Sequence, residues 1–365
     1  MSDLPLSRSN VAPLPFQPAF EQIPEDESET SKELAETLHA IMETTFKDNG
    51  HAHRSVHAKS HGLLRGRVTV LDGLPPELAQ GAFAKPGTMQ AFMRLSTNPG
   101  DILDDKVSTP RGMAIKIVGV DGPRLPGSEG EVTQDFVMQN AKAFTAATPK
   151  AFLRTLKLLA KTTDKAPGMK KALSALLRGV ESTIESMGGE SGTLKSLGGH
   201  PQTHILGESF STVVPILYGP YYAKLAMVPV SPSLTALTDQ HVDFGDNPDG
   251  LRAAVMDYFA QHGGTWELRI QLATDIEKMP IEDASVQWPE DLSPYVTVAR
   301  VEVEPQSTWD SEKVRDIDDA MAFSPWHGLQ AHRPLGGVMR VRKPSYEMSS
   351  AFRASHNGCP IHEPR

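Results

Sequence analysis

Apolar residues fall into two rhythms along the chain, one helical and one extended. In 33–42 they recur at helical spacing (Leu34, Leu38, Ile41, Met42), which predicts a helix from about Ser31. Residues 64–72, Leu-Arg-Gly-Arg-Val-Thr-Val-Leu-Asp, alternate apolar with polar side chains, as do 89–95 and 113–118. Bounded by Gly/Pro turns, such alternation predicts half-buried antiparallel strands. Further strands are expected at 210–217, 222–230, 266–273 and 296–304. A set of about eight strands points to a closed barrel. The predicted fold class is α+β, an antiparallel eight-stranded β-barrel with surrounding helices.

Residues 1–30 carry Pro5, Pro13, Pro15, Pro18 and Pro24 and the acidic run Glu25-Asp26-Glu27, so an extended N-terminal arm is expected there. A single domain is expected over 31–365, with a helical insertion at about 150–200, where Phe152, Leu153, Leu156, Leu158, Leu173, Leu176 and Leu177 keep helical periods. Between Lys150 and Arg178 stand eight Lys/Arg and one Asp, a charge of +7 in a chain whose net is −9, which leaves −16 elsewhere. Solvated basic helix faces explain this; a lip attracting anionic substrates or lipid headgroups is the sharper alternative.

The acidic balance gives no general attraction for nucleic acid phosphates. Cys359 is the only cysteine, which excludes an intrachain disulfide and any Cys-based zinc or iron–sulfur cage. The chain lacks an apolar run of about 18 residues, and Met1-Ser2-Asp3-Leu4-Pro5 lacks the features of a signal peptide. A cytoplasmic protein without stable membrane insertion is expected.

The densest chemical cluster is His51, His53, His57 and His61, four histidines in eleven residues. His57 and His61 are four apart, but the run between them lacks the Glu that a helical zinc protease motif uses as general base. Solvated loop histidines are a second reading, and an acid/base His beside a cofactor is a third.

The neighbours of His57 decide among them. Arg54-Ser55-Val56-His57-Ala58-Lys59 resembles the distal segment of heme catalases, and Arg94-Leu95-Ser96-Thr97 followed by Thr109-Pro110-Arg111-Gly112-Met113-Ala114-Ile115-Lys116 resembles their next two motifs in register. Near the C-terminus, Arg342, Tyr346 and Arg353 match the proximal pattern, Arg-x-x-x-Tyr with a second Arg seven residues later. The segments 204–210, 218–224, 280–283 and 323–327 look like the short catalase-related peroxidases, and the resemblance covers roughly 50–357.

The resemblance implies heme b as cofactor, with Tyr346 as the iron ligand. A free phenol titrates near pH 10, so a guanidinium one helical turn away, Arg342, suits an anionic ligand. It also implies that Arg54, Arg94 and Arg353 hold the heme propionates and that Phe144 packs beside the ring. His57 would move protons, Ser96 would hold its second nitrogen, and Val56 would narrow the channel over the iron. The family's distal Asn is missing; Glu131-Val132-Thr133-Gln134-Asp135 stands in that place, leaving Thr133 and Gln134 as substitutes. The implied function is a peroxidase that reduces hydrogen peroxide or organic hydroperoxides with a small-molecule reductant, with some catalase activity, working as a homo-oligomer, a dimer or more. A lipid hydroperoxide isomerase of the allene oxide synthase type and a true catalase are the alternatives.

Overall fold

The computed structural model describes residues 11–160 and 200–365. Nine strands form one antiparallel sheet: β1 Ser60–Val70, β2 Gly87–Thr97, β3 Arg111–Val118, β4 Thr133–Gln139, β5 Phe210–Ser211, β6 Ile216–Tyr218, β7 Tyr221–Pro229, β8 Gly264–Leu272 and β9 Val296–Val303. Neighbours run β5-β4-β3-β2-β1-β9-β8-β7-β6, and β5 also pairs with β7. Eight strands therefore close the ring, with β6 attached to β7 outside it, and closure leaves the ring no exposed edge. The predicted eight-stranded antiparallel barrel is the observed one.

Period-two alternation builds the interior. Along β8, Trp266, Leu268 and Ile270 are fully buried in the barrel core while Thr265, Glu267 and Arg269 lie at intermediate exposure. The strand expected at 210–217 is broken into β5 and β6, because Val213 takes a left-handed φ of 54° and Pro215 has no N–H for a ladder. The strand β4 was not anticipated: its first three residues, Thr133, Gln134 and Asp135, are polar yet buried, which hides the alternation. Lys116 on β3 is directly opposite Asp135 and donates to both carboxylate oxygens at 2.8 and 2.9 Å. Neither charge of that buried pair is left uncompensated.

From Ala91 onward β2, together with β3 and β4, is largely covered on both sides. Leu95, Met113 and Met138 form one cross-strand row into the barrel, and Met93, Ile115 and Phe136 form the next. The intervening rows face outward: Ser96–Gly112–Gln139, Arg94–Ala114–Val137 and Phe92–Lys116–Asp135. This outer face is covered by the segment carrying Ile317, Met321 and Phe323, which packs on Ala114, Phe92 and Val137.

Among the described residues four longer helices flank the barrel: α1 Glu27–Asn49, α2 Pro149–Ala160, α3 Gly250–Phe259 and α4 Gly337–Asn357. The first starts ahead of the expected point, with Glu27 and Glu29 in its opening turn, where acidic side chains suit the helix dipole. Leu34, Leu38 and Ile41 of α1 pack on Leu153 and Leu156 of α2 and Val341 of α4. Two cations of the basic segment are paired here, Lys150 with Asp26 and Lys157 with Glu33; its part from 161 onward lies outside the described residues. None of the helices among the described residues is long and apolar enough to cross a membrane.

Both ends of the described chain return to the barrel. Leu14 N–H donates to the Ala273 carbonyl and Phe16 N–H to that of Pro220, and Arg340 at the start of α4 pairs with Glu21, Glu27 and Glu282. After Gly358 ends α4 with a φ of 60°, Glu363 accepts from Lys116 at 2.5 Å and from Thr133 at 2.9 Å.

The α1 contact sets a stability expectation. Leu34 is 0% exposed, so Leu34→Ala should cost about 2–5 kcal/mol in denaturant unfolding. A loss under about 1 kcal/mol would mean that α1 is not docked as described.

Candidate functional site

The outward rows of β2–β4 form the floor of the site, and the loop before β1 lays His57 on it. His57 has a left-handed φ of 54°, its N–H donates to the Asn98 carbonyl at 2.8 Å, and Arg94 Nη2 donates to its carbonyl at 2.8 Å. Backbone strain of this kind persists only where the surroundings over-determine it. His57 Nδ1 lies 3.0 Å from Ser96 Oγ, which is 3.5 Å from the Gly112 carbonyl. A chain from Nδ1–H to Oγ and from Oγ–H to that carbonyl satisfies all three groups and leaves Nε2 as the lone-pair nitrogen. The ring lies against the sheet because residue 112 is glycine; a Cβ there would stand 2.5 Å from His57 Cε1.

Burial, then the charges of Arg94, Arg342 and Arg54, pushes the His57 imidazole down to about 3. It is therefore neutral across the ordinary pH range and able to accept a proton. His57, Val137, Gln139, Thr212, Val213, Met339 and Arg342 line one narrow cavity of about 30 Å³. Val213, β-branched and also at a φ of 54°, is a second strained residue on this wall.

On the α4 side, Arg342 reaches Tyr346 one turn later and donates from Nη2 to Oη at 2.7 Å. Arg342 thus lines the His57 cavity while holding the phenol oxygen, and Tyr346 opens on a second cavity of about 580 Å³. Phe144 packs with Val338 and Met339, its ring centroid 5.9 Å from the Arg342 guanidinium.

The three remaining arginines converge on the turn at Val314–Asp319. Arg54 and Arg94 share Asp318 Oδ1 at 2.7 and 2.8 Å, with Ser60 Oγ donating to the same oxygen. Arg353 reaches only backbone carbonyls, of Asp318, Asp319 and Met321, and its Nε is buried without a partner. Burial, then repulsion from Arg353 and Arg94, holds Arg54 well below its usual range; burial pushes Arg353 down to about 10. Burial would raise Asp318, but Arg94 and Arg54 hold it far below the ordinary carboxylate range. Three guanidiniums around one carboxylate make a site short of negative charge, suited to further carboxylates.

Sequence reasoning brought together His57, Ser96, Arg342 and Tyr346, and grouped Arg54, Arg94 and Arg353. Val56 instead packs among the apolar residues joining α1, α2 and α4. The four clustered histidines divide three ways: His51 meets Asp319 and keeps His53 edge-on at 5.1 Å, His57 meets Ser96, and His61 is buried beside Thr97 and Asp105. Neither proposed amide substitute stands on the His57 cavity. Thr133 is bonded to Glu363, and Gln134 accepts from the Leu329 N–H and donates to the Asp135 carbonyl, while Gln139 faces the cavity. Gln139 and Asp318 were both missed. The register of β4 against Gly112 is the signal that finds the first.

Comparison with solved structures agrees with this architecture. A fungal catalase superposes with a TM-score of 0.59 at 19% identity, over 86% of this chain and 61% of that one. Catalase A from Saccharomyces cerevisiae gives 0.57 at 18%, over 85% and 62%. The fold is catalase-like. The chain spans about three fifths of the length of these catalases. No family model matches the sequence, and no curated protein matches it.

Two expectations follow from this geometry. Gly112→Ala should drive the His57 ring off the floor and destabilise the protein by about 1–3 kcal/mol, read by thermal unfolding; unchanged stability would mean that the ring is not packed there. Burial also holds His53 at about 4, so the unfolded chain takes up protons near pH 6.5 that folded His53 and His57 refuse. Their effect is absent above about 6.5, and stability falls as pH drops from there toward 3 to 4; His57→Gln should flatten that fall in acid titrations followed by circular dichroism.

Proposed function

We propose that this protein is a heme-dependent peroxidase that reduces hydrogen peroxide or an organic hydroperoxide at the expense of an organic reductant. The observation that carries the reading is the single cavity bounded by His57 on one side and by Arg342, itself bonded to Tyr346, on the other. The residues fit heme b: Tyr346 would ligate the iron, Arg342 sets a fixed positive charge on the ligating oxygen, and Arg54, Arg94 and Arg353 would take the propionates. Val137 and Phe144 would pack against the ring. Ferric heme b, when bound, supplies the redox chemistry that takes up the oxidising power of the peroxide.

The chain's own part is proton transfer and orientation. Neutral His57 would take a proton from one peroxide oxygen at Nε2 and return it to the other, so that water or an alcohol leaves as the O–O bond breaks. Ser96 keeps Nδ1 occupied and the ring fixed. Gln139 offers the one carboxamide on the cavity wall, in a protein without the distal Asn of the family it resembles, and would orient the peroxide. Two electrons and two protons from the organic reductant, delivered singly, release the second oxygen atom as water and complete the turnover. Pairing of Lys150 and Lys157 with α1 spends two of the cations that motivated a lipid-directed isomerase.

His57→Ala should cut the rate of reaction with hydrogen peroxide by about a hundredfold or more, in stopped-flow mixing of heme-loaded protein. Unchanged kinetics would overturn the role of His57. The same rate in the wild type should stay level with pH down to about 4, since His57 is neutral above about 3. Tyr346→Phe should lower heme occupancy and shift the Soret band; full occupancy with an unaltered spectrum would exclude Tyr346 as ligand.

A further inference from the structure

We propose that Glu131, His327 and Glu363 form a binding site for a divalent transition-metal ion, apart from the His57 cavity, that fastens the C-terminal tail to the barrel. Donor atoms from the three side chains lie within 4.8 Å of one another. A second, independent observation singles out the same residues. Glu131 Oε2, His327 Nδ1 and Glu363 Oε1 are each buried from solvent without a hydrogen-bond partner. Buried polar atoms are rarely left so, and three that converge call for something that satisfies them together.

The donors come from three separate parts of the chain, each held in place. Glu131 lies just before β4, and its backbone N–H bonds the Ser128 carbonyl at 3.2 Å. His327 lies ahead of α4; its N–H donates to the Ser324 carbonyl, and its own carbonyl accepts from the Asp135 N–H. Glu363 has one oxygen bound, Oε2 taking Lys116 and Thr133, which aims Oε1 at the imidazole 3.1 Å away, an ion pair once His327 is protonated. Lys116 and Thr133 thus act as the outer contacts that orient a ligating carboxylate.

One imidazole and two carboxylates make a mixed nitrogen–oxygen donor set that suits zinc or a similar first-row ion. All three residues border the 580 Å³ cavity on which Tyr346 also opens, so water has room to complete the coordination. Lys116, Arg124 and Asp135 act on the cluster directly, and Lys343, Glu347, His362 and Arg365 border the same cavity. The competing occupant is a proton on His327, paired with Glu363 and with Asp135 at 3.6 Å.

The test uses full-length, chelator-treated protein titrated with zinc chloride by calorimetry, with thermal unfolding measured with and without zinc. Glu131→Gln is the central variant because that carboxylate has an unpartnered oxygen; His327→Ala and Glu363→Gln accompany it. Wild type should bind one zinc ion that all three variants bind at least tenfold more weakly. Zinc should raise the wild-type melting temperature and not theirs. His51, His362 and Cys359 can also take zinc, so the difference between wild type and variants is what decides. Absence of zinc binding up to about 1 mM, or equal binding in wild type and variants, would overturn the site and leave a protonated ion-pair cluster. Neither readout needs heme or peroxide, so failure here and failure of the peroxidase reading are separately visible.

Discussion

The site depends on one constraint, the burial of β2, β3 and β4 on both faces. A strand covered on one side can put any polar residue on the other; these three cannot. Their outward rows must be small, like Gly112 and Ala114, or matched to a partner, as Ser96 is to His57, Arg94 to Asp318 and Lys116 to Asp135. The chemistry therefore stands on the barrel wall that faces α4, while the interior is a largely apolar core.

Electrostatics divides the site into unlike halves. On one flank three guanidiniums crowd a single carboxylate, and on the other Arg342 holds a phenol oxygen. His57 lies between these positive charges, which together with burial keep it unprotonated. The same arginines that would hold carboxylates thus also keep the proposed base in its basic form, so the two functions share one charge distribution.

Much of this was legible in the sequence where the signal is local. Arg342 and Tyr346 are one turn apart, so helical spacing alone brings them together, and the alternation in 266–273 and 296–304 marks β8 and β9. The catalase-like pattern placed His57 and Ser96 together although they lie 39 residues apart. What stayed hidden depends on pairing across the chain. Asp318 is one aspartate among many until the turn at Val314–Asp319 carries it under Arg54 and Arg94, and Gln139 faces the cavity only because β4 registers Gln139 on Gly112. Val56 stands next to His57 in sequence but turns toward α1, because the left-handed backbone at His57 redirects the chain.

The two-faced strands also bear on how such a chain can change over time. Inward rows such as Leu95–Met113–Met138 need only apolar volume, which many residue combinations supply. Outward rows are tied to individual partners and leave few replacements. Divergence should therefore run at two speeds along one strand, fast at every other position and slow between.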